Sequence, residues 1–580
     1  MKLKYIAILV AVALTSLTSC KDFLDKVPDT RVYLNNVEQL RQLMVDGYMA
    51  SSYACVAELS SDNVIDNNSP SDDGVIYNLS AYDISDNQLY AWQDVDLASG
   101  NDTPSGVWSG CYGAIAVCNA VLEKALEWEQ TGVNGDGVKL SAQDMDVLKA
   151  VKGEALVSRA FHHWILCNIF CMPYAGPEKS KQFQGIPYAT VPEKVVHPHY
   201  ERGTLAEDYE KIEKDLMEGL PLINDQIYEV PKYHFNLASA NAFAARFFLY
   251  KREYDKAVKY ATASFKGNDP STMMNDIWSN SSFYYISDIG RYNTSVKNAS
   301  VMMCFTNYTT WWRRFLGQRY TPNRDAKRAT IEGPGPTWNS CRYINNRTKE
   351  TFAMHPCFFS VCGSAGGQEY GSYYAGNMFE QFEYTDKLAG IGYCHGIRAE
   401  FTTEQSLLTR AEANLFLGNI DEAFADLKIW DEARQKNVAG DDRMIELTKD
   451  VIVKFYSKDN DPGYGIMKDI HIDEVCPSEK YHVTPEILPF LQCVQHFRRI
   501  ETVHTGQRWF DIKRFGLEIP RKIGPTGEDL LTVHDLRKAI QIPNEVLSAG
   551  LEGNIRDNAP KSTNKEGEAR IANGVITRTN

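Results

Sequence analysis

Beyond its first 20 residues the 580-residue chain has no uninterrupted run of about 18 apolar residues, so no later segment reads as a bilayer span. Positive charge is in deficit. Lys and Arg number 61 against 75 Asp and Glu, a net charge of −14, whereas a general nucleic-acid binder needs a basic face to neutralise phosphates. There is no Gly-x-x-x-x-Gly-Lys-Ser/Thr loop, and Gly333-Pro334-Gly335-Pro336 is too proline-bound to cradle phosphates. Neither a Gly-x-Ser-x-Gly elbow nor a His-Glu-x-x-His helix is present. Metal-ligand spacing is missing too: Cys167-x3-Cys171 and Cys357-x4-Cys362 lack a second pair, and His197-Pro198-His199 lacks a carboxylate or thiol partner. Asp459-Asn460-Asp461 starts like a calcium loop, but Gly463 comes one place early and Ile470 stands where an EF-hand needs Glu. No cofactor, metal ligand or catalytic residue is expected, with a structural calcium ion left open. Carboxylates are plentiful, but none stands out as a glycosidase pair.

What is present is the composition of a globular protein, 43% apolar and 23% charged. Aromatic residues reach 11%, with 10 Trp, 31 Tyr and 25 Phe, more rings than a core must take up. The first 19 residues form an export leader: Lys2 and Lys4 precede an apolar stretch from Ile6 to Leu14, too short to span a bilayer. Leu17-Thr18-Ser19-Cys20 resembles a bacterial lipobox, which makes Cys20 the lipidated first residue of the mature chain. Twelve cysteines remain, an even number that permits disulfides in an exported protein. Cys111, Cys118 and Cys167 lie among apolar residues and read as small buried hydrophobes.

Residues 20–35 form a tether and 36–580 a single helical domain. Three- and four-residue apolar spacing predicts helices over 37–50, 107–130 and 144–170. Thr204 and Glu207 form a capping box that opens a helix ending before Pro221. Ala245, Tyr254 and Ala257 are matched 166 residues later by Ala411, Ile420 and Ala423, each set around a short turn. That is the spacing of tetratricopeptide-type helix pairs. Segments 266–400 and 436–490 show no sustained period and read as irregular insertions.

Taken in order, these motifs resemble the SusD/RagB family of outer-membrane lipoproteins. CKDFLDKVP at 20–28 resembles the family's lipid cysteine and acidic tether. Trp108, Tyr112, Ile115 and Asn119 match one helix motif, and Gly153, Glu154, Ala155, Arg159, Ala160 and Phe161 match the next. Arg410 to Ala413 with Leu417 to Asn419, Gly506 to Gly516, and Ile542-Pro543 with Glu545 complete the series, while the closing Asn-Pro-Gly-Tyr is missing.

The resemblance implies a mainly α fold, about four tetratricopeptide-like helix pairs carrying long irregular ligand-binding insertions. It implies a non-enzymatic, lipid-anchored protein on the cell face of the outer membrane. Such a protein captures oligosaccharides and delivers them to a SusC-like TonB-dependent transporter; peptide uptake of RagB type is the alternative, and a surface glycosidase a weaker one. It also assigns a structural role to 506–516, with Trp509, Phe510 and Phe515 packing and Arg508, Asp511 and Arg514 pairing. Rings left over from the core should stack on sugars. Within the irregular segments the expected contacts are Trp92, Trp278, Trp311 and Trp312, with Asp62 and Asn63 as hydrogen-bonding groups. Trp311-Trp312 is favoured because adjacent rings on extended chain point opposite ways.

The lipobox generates a direct test. A Cys20→Ser variant is expected to lose acyl labelling and leave the membrane fraction, because the acyl chains supply about 0.8 kcal/mol of anchoring per buried methylene. Retained label and membrane association would contradict the assignment.

Overall fold

A computed structural model describes residues 34–557 except 72–73, 97–99, 196–198, 276–286, 316–317, 322–325, 327, 331–332, 437–444 and, apart from short strand fragments, 339–377; beyond 557 it describes only the strands Ala569–Ala572 and Val575–Arg578. The leader, Cys20 and most of the tether lie outside the described residues, as does Trp278.

The scaffold is helical. Its N-terminal helices are α1 (Val37–Leu43), α2 (Ala54–Ser60) and α3 (Ile84–Tyr90), followed by the long hairpin of α4 (Pro104–Thr131) and α5 (Ala142–Phe170). Helix α6 (Leu205–Gly219) packs on α5, and α7 (Leu237–Tyr250) pairs with α8 (Tyr254–Ser264). After the insertion come α9 (Thr403–Phe416) paired with α10 (Ile420–Arg434), then α11 (Lys449–Phe455) packed on α12 (Leu488–Glu501), and α13 (Gln507–Phe515). Helix α8 packs on α9, and α9 on α12, so successive pairs share one continuous core.

Local chemistry sets these boundaries. Thr204 Oγ1 accepts from Glu207 N while Glu207 Oε2 accepts from Thr204 N, the reciprocal cap expected from the sequence. Thr103 caps α4, Pro104 occupies its first position, and Gly132 ends it at φ 73°. Helix α4 is long and apolar enough to cross a membrane by length and composition, but it packs along α5 and half of its apolar stretch is buried within the protein. Residues 37–50 are helical only to Leu43, continuing as one 3-10 turn from Met44 to Asp46.

The insertion at 266–400 is not irregular throughout. Strands Val301–Tyr308, Ile391–Thr402 and Met378–Asp386 form an antiparallel sheet with Ile391–Thr402 in the centre. Tyr308 faces His395, and His395 faces Gln381. Period-two alternation in Tyr393, His395 and Ile397 carried the strand signal, which the search for helical period passes over. Trp311 likewise sits in a short helix, Trp311–Phe315, and not on extended chain.

The signature at 506–516 is structural. Trp509, Phe510 and Phe515 are buried, and Phe510 stacks on Tyr53 at 5.4 Å. Asp511 accepts from Arg514 Nη2 at 2.9 Å, and Arg514 also donates to Glu412 Oε2 at 3.0 Å. Arg508 grips Asp62 with two bonds of 2.7 and 2.9 Å. All nine described cysteines are free thiols, and eight of them are buried, Cys111, Cys118 and Cys167 included.

The Asp62 pair carries a pH dependence. Burial pushes its carboxyl up, but Arg499, Arg508 and Lys468 outweigh that and hold it well below the usual range. The folded state therefore binds this proton less readily than the unfolded chain. The resulting stability is complete above the unfolded carboxylate value of about 4 and drains away as pH falls below it. Asp62→Asn leaves buried guanidinium groups without their counter-charge and is expected to cost about 3–5 kcal/mol in urea denaturation at pH 7. The variant should also lose stability less steeply than the parent below pH 4; equal acid slopes would contradict the assignment.

Candidate functional site

A cavity of about 720 Å³ forms an open groove between the N-terminal half of α4, the segment 45–51 and the sheet. Its wall on α4 is nearly bare backbone: Gly106, Gly110 and Gly113 recur at four- and three-residue steps beside Ser109 and Ala114. At Gly110 a Cβ would collide with Ser51 Oγ, so the small residue lets the 45–51 segment lie against the helix. At Gly113 a Cβ would meet nothing within 4 Å, because that position opens into the groove.

The floor is fastened to the sheet by backbone and amide bonds. Tyr308 N donates to Ala50 O at 2.7 Å, and Asn307 Nδ2 donates to Met49 O and Ser51 O at 3.0 and 2.9 Å. Asn307 Oδ1 in turn accepts from Arg398 Nε at 2.9 Å. Beneath the floor lies Glu154, fully buried, which accepts from the Tyr48 hydroxyl and sits 2.8 Å from His234 Nδ1. The His234 ring stacks on Tyr228 at 4.3 Å. Burial, followed by the Glu154 charge, holds the Tyr48 phenol well above its ordinary value, so it stays a neutral donor.

The sheet wall presents Tyr308, Glu383, Tyr393 and His395. Strand pairing puts Tyr308 opposite His395 and Glu383 opposite Tyr393 on one face. The Tyr308 and Tyr393 rings meet edge to face, 4.7 Å apart at 80°. His395 Nδ1 lies 3.1 Å from Glu383 Oε2, and its Nε2 meets Gln381 Nε2 at 3.0 Å. Tyr308 is 40% exposed, so its ring is accessible from the groove. Chemically the groove offers ring faces flanked by hydroxyl, carboxylate, imidazole and amide groups. Such a combination is chemically suited to a polyol with apolar C–H faces. Among the described residues no group of three or more His, Cys, Asp or Glu is gathered for a metal ion.

Of the residues expected from sequence, Trp92, Trp311, Asp62 and Asn63 lie outside this groove. Trp92 is 2% exposed, donates from Nε1 to Ser60 O at 2.9 Å, and carries Arg521 over its ring at 4.2 Å. Trp311 has no exposed surface and packs on Phe315 at 4.4 Å. Both rings are consumed by the core, so neither offers a face to a ligand. Asp62 is taken by Arg508, while Asn63 donates to Glu58 Oε1 and accepts from Arg499 Nε, both at 2.9 Å. Trp278 and the Trp312 side chain are outside the described residues. The groove residues missed from sequence had two usable signals, the strand alternation through Tyr393 and His395 and the glycine spacing on α4.

The stacked helix-pair scaffold carrying this aromatic-edged groove has counterparts among known proteins. A SusD-like family model, described as starch-binding and associating with the outer membrane, matches residues 22–249. A SusD superfamily protein of Bacteroides thetaiotaomicron shares the fold at TM-score 0.55 and 17% identity, covering 90% of this chain and 100% of that one. Another from Bacteroides vulgatus has TM-score 0.51 and 18% identity over 90% and 99% of the two chains. A laminarin-binding SusD-like protein has TM-score 0.50 and 13% identity over 90% and 99%. No curated protein matches the chain. The match to the SusD-like family model thus covers the N-terminal part of the chain, and the fold is shared with SusD superfamily structures over nine-tenths of its length.

Burial separates two kinds of ring. Trp311→Ala empties a closed site and is expected to lose about 3–5 kcal/mol in chemical denaturation. Tyr393→Ala, at the groove surface, should stay within about 1 kcal/mol of the parent. A Trp311→Ala protein as stable as the parent would show that this ring is not core.

Proposed function

We propose that the protein is a carbohydrate-capture lipoprotein of the outer membrane, exposed on the cell surface and held there through Cys20. It binds an oligosaccharide in the groove between α4, segment 45–51 and the sheet, and delivers it to a SusC-like TonB-dependent transporter without cleaving it. The observation that carries this reading is the groove itself: accessible ring faces at Tyr308 and Tyr393 stand opposite a glycine-lined helix, with hydrogen-bonding groups between them. A pyranose ring fits such a slot with its C–H face on an aromatic ring and its hydroxyls toward the polar groups. The family description and the laminarin-binding relative support a glycan as the ligand. The transporter rests on the family resemblance, an analogy.

Calorimetric titration against oligosaccharide and peptide panels, with product analysis of the mixtures, tests the reading. Saturable glycan binding without product is expected. Tyr308→Ala and Tyr393→Ala should weaken it by about tenfold, within the roughly 1–3 kcal/mol that aromatic stacking contributes on nucleic-acid bases. Gly113→Leu should abolish binding while folding normally, since replacing a helical glycine gains up to about 1 kcal/mol of helix propensity and the new side chain enters open space. Peptide binding alone, or released product, would overturn the proposal.

A further inference from the structure

Among the described residues, the groove lining holds carboxylates and two imidazoles, His234 and His395, the second 3.1 Å from Glu383 Oε2. Asp46 projects from the segment 45–51 and Glu383 from the edge strand, so carboxylates stand on two of its walls. Beneath the floor Glu154 adds a third, fully buried and tied to Tyr48 and His234. Among the described lining residues there is no Lys or Arg. The nearby cations are engaged on other surfaces: Arg398 is buried against Glu400 and Asn307, and Arg313 pairs with Glu380 at 3.1 Å. The dipole of α4 favours an anion at its first turn, but there Gly106 N already donates to Thr103 Oγ1 at 3.3 Å. The whole chain deepens the same field, with its net charge of −14.

Carboxylates around a binding cleft select by exclusion as much as by attraction. A uronate or sulfated sugar would bring its own negative charge between Asp46 and Glu383, with no described guanidinium or ammonium to receive it. A sugar bearing only hydroxyls meets acceptors that suit it, since a carboxylate takes a hydroxyl hydrogen without any change of charge. We infer that the groove takes a glycan free of carboxylate and sulfate groups, and that Asp46 and Glu383 act as its specificity-determining residues by rejecting anionic glycans. This rests on the reading of the groove as a glycan site and narrows it to one chemical class.

The test is a glycan array divided into uncharged, carboxylated and sulfated oligosaccharides, followed by titration of the best binder and of an oligogalacturonate. The parent is expected to bind members of the uncharged set alone. Its affinity for them should change less than about threefold between low and high salt, since no ion pair with the ligand is there to be screened. An Asp46→Asn/Glu383→Gln double variant should gain about tenfold or more toward the oligogalacturonate at low salt, where surface charges reach furthest, with no matching gain toward the uncharged binder. Preferred binding of carboxylated or sulfated glycans by the parent overturns this inference and leaves glycan capture standing. An unchanged oligogalacturonate response in the double variant also overturns it. Binding to no member of any set overturns both, and is distinguished from the first outcome by silence across the whole array.

Discussion

Glu400 is a carboxylate with no exposed surface, and the arrangement of the groove depends on how that charge is satisfied. A buried carboxylate is tolerated only when opposite charge and donors surround it. The Tyr53 hydroxyl donates to it at 2.8 Å, Arg246 of α7 at 3.1 Å, and Arg398 of its own strand completes the set. These partners come from the N-terminal segment, the helix scaffold and the sheet, so one ionic cluster fixes all three relative to each other. Arg246 also reaches Gln405 at 2.6 Å and lies 4.4 Å over the Phe401 ring, while Arg398 lies over Tyr53 at 4.8 Å. From Arg398 the order passes to Asn307, and from Asn307 to the carbonyls of Met49 and Ser51. The groove floor is thus the far end of a hydrogen-bonded chain that begins in the core. Ring faces at Tyr308 and Tyr393 can be placed accurately because the backbone behind them has no freedom to slide.

The helices supply the complementary wall by omission. A long helix ordinarily fills its surface with side chains, and three glycines in its first turns cost helix propensity that only packing can restore. Helix α4 recovers that cost through its other faces, where Trp108, Cys111, Ile115 and Cys118 are buried. One helix therefore serves as core element and as groove wall, with the division set by which face each residue occupies.

The scaffold was legible in the sequence because its signals are local and repetitive. The Thr204–Glu207 cap and the paired alanines around the turns at 251–253 and 418–419 follow from spacing, while the packing role of Trp509, Phe510 and Phe515 came from the family resemblance. The site was not legible in the same way, because it depends on which rings the core consumes. Trp92 and Trp311 look available in a polar, loop-like context, yet Arg521 covers one and a short helix turns the other inward. Asp62 and Asn63 look like surface hydrogen-bonding groups, but their partners Arg508 and Arg499 arrive from more than 430 residues away in the chain. Pairings of that range leave no periodic trace. The strands at 301–308 and 391–402 did leave one, in alternating residues that a search for helical period treats as irregular.

The central claim is a place: an oligosaccharide held between α4 and the sheet. A crystal structure of the protein with the tightest-binding oligosaccharide from a glycan screen tests it most directly. The account predicts saccharide density over Gly113, with one sugar ring against Tyr308 or Tyr393 and hydroxyls within hydrogen-bonding distance of Glu383 or Asp46. Density on the opposite side of α4, in the cavity of about 330 Å³ lined by Trp108, Tyr112 and Tyr200, with this groove empty, would contradict it.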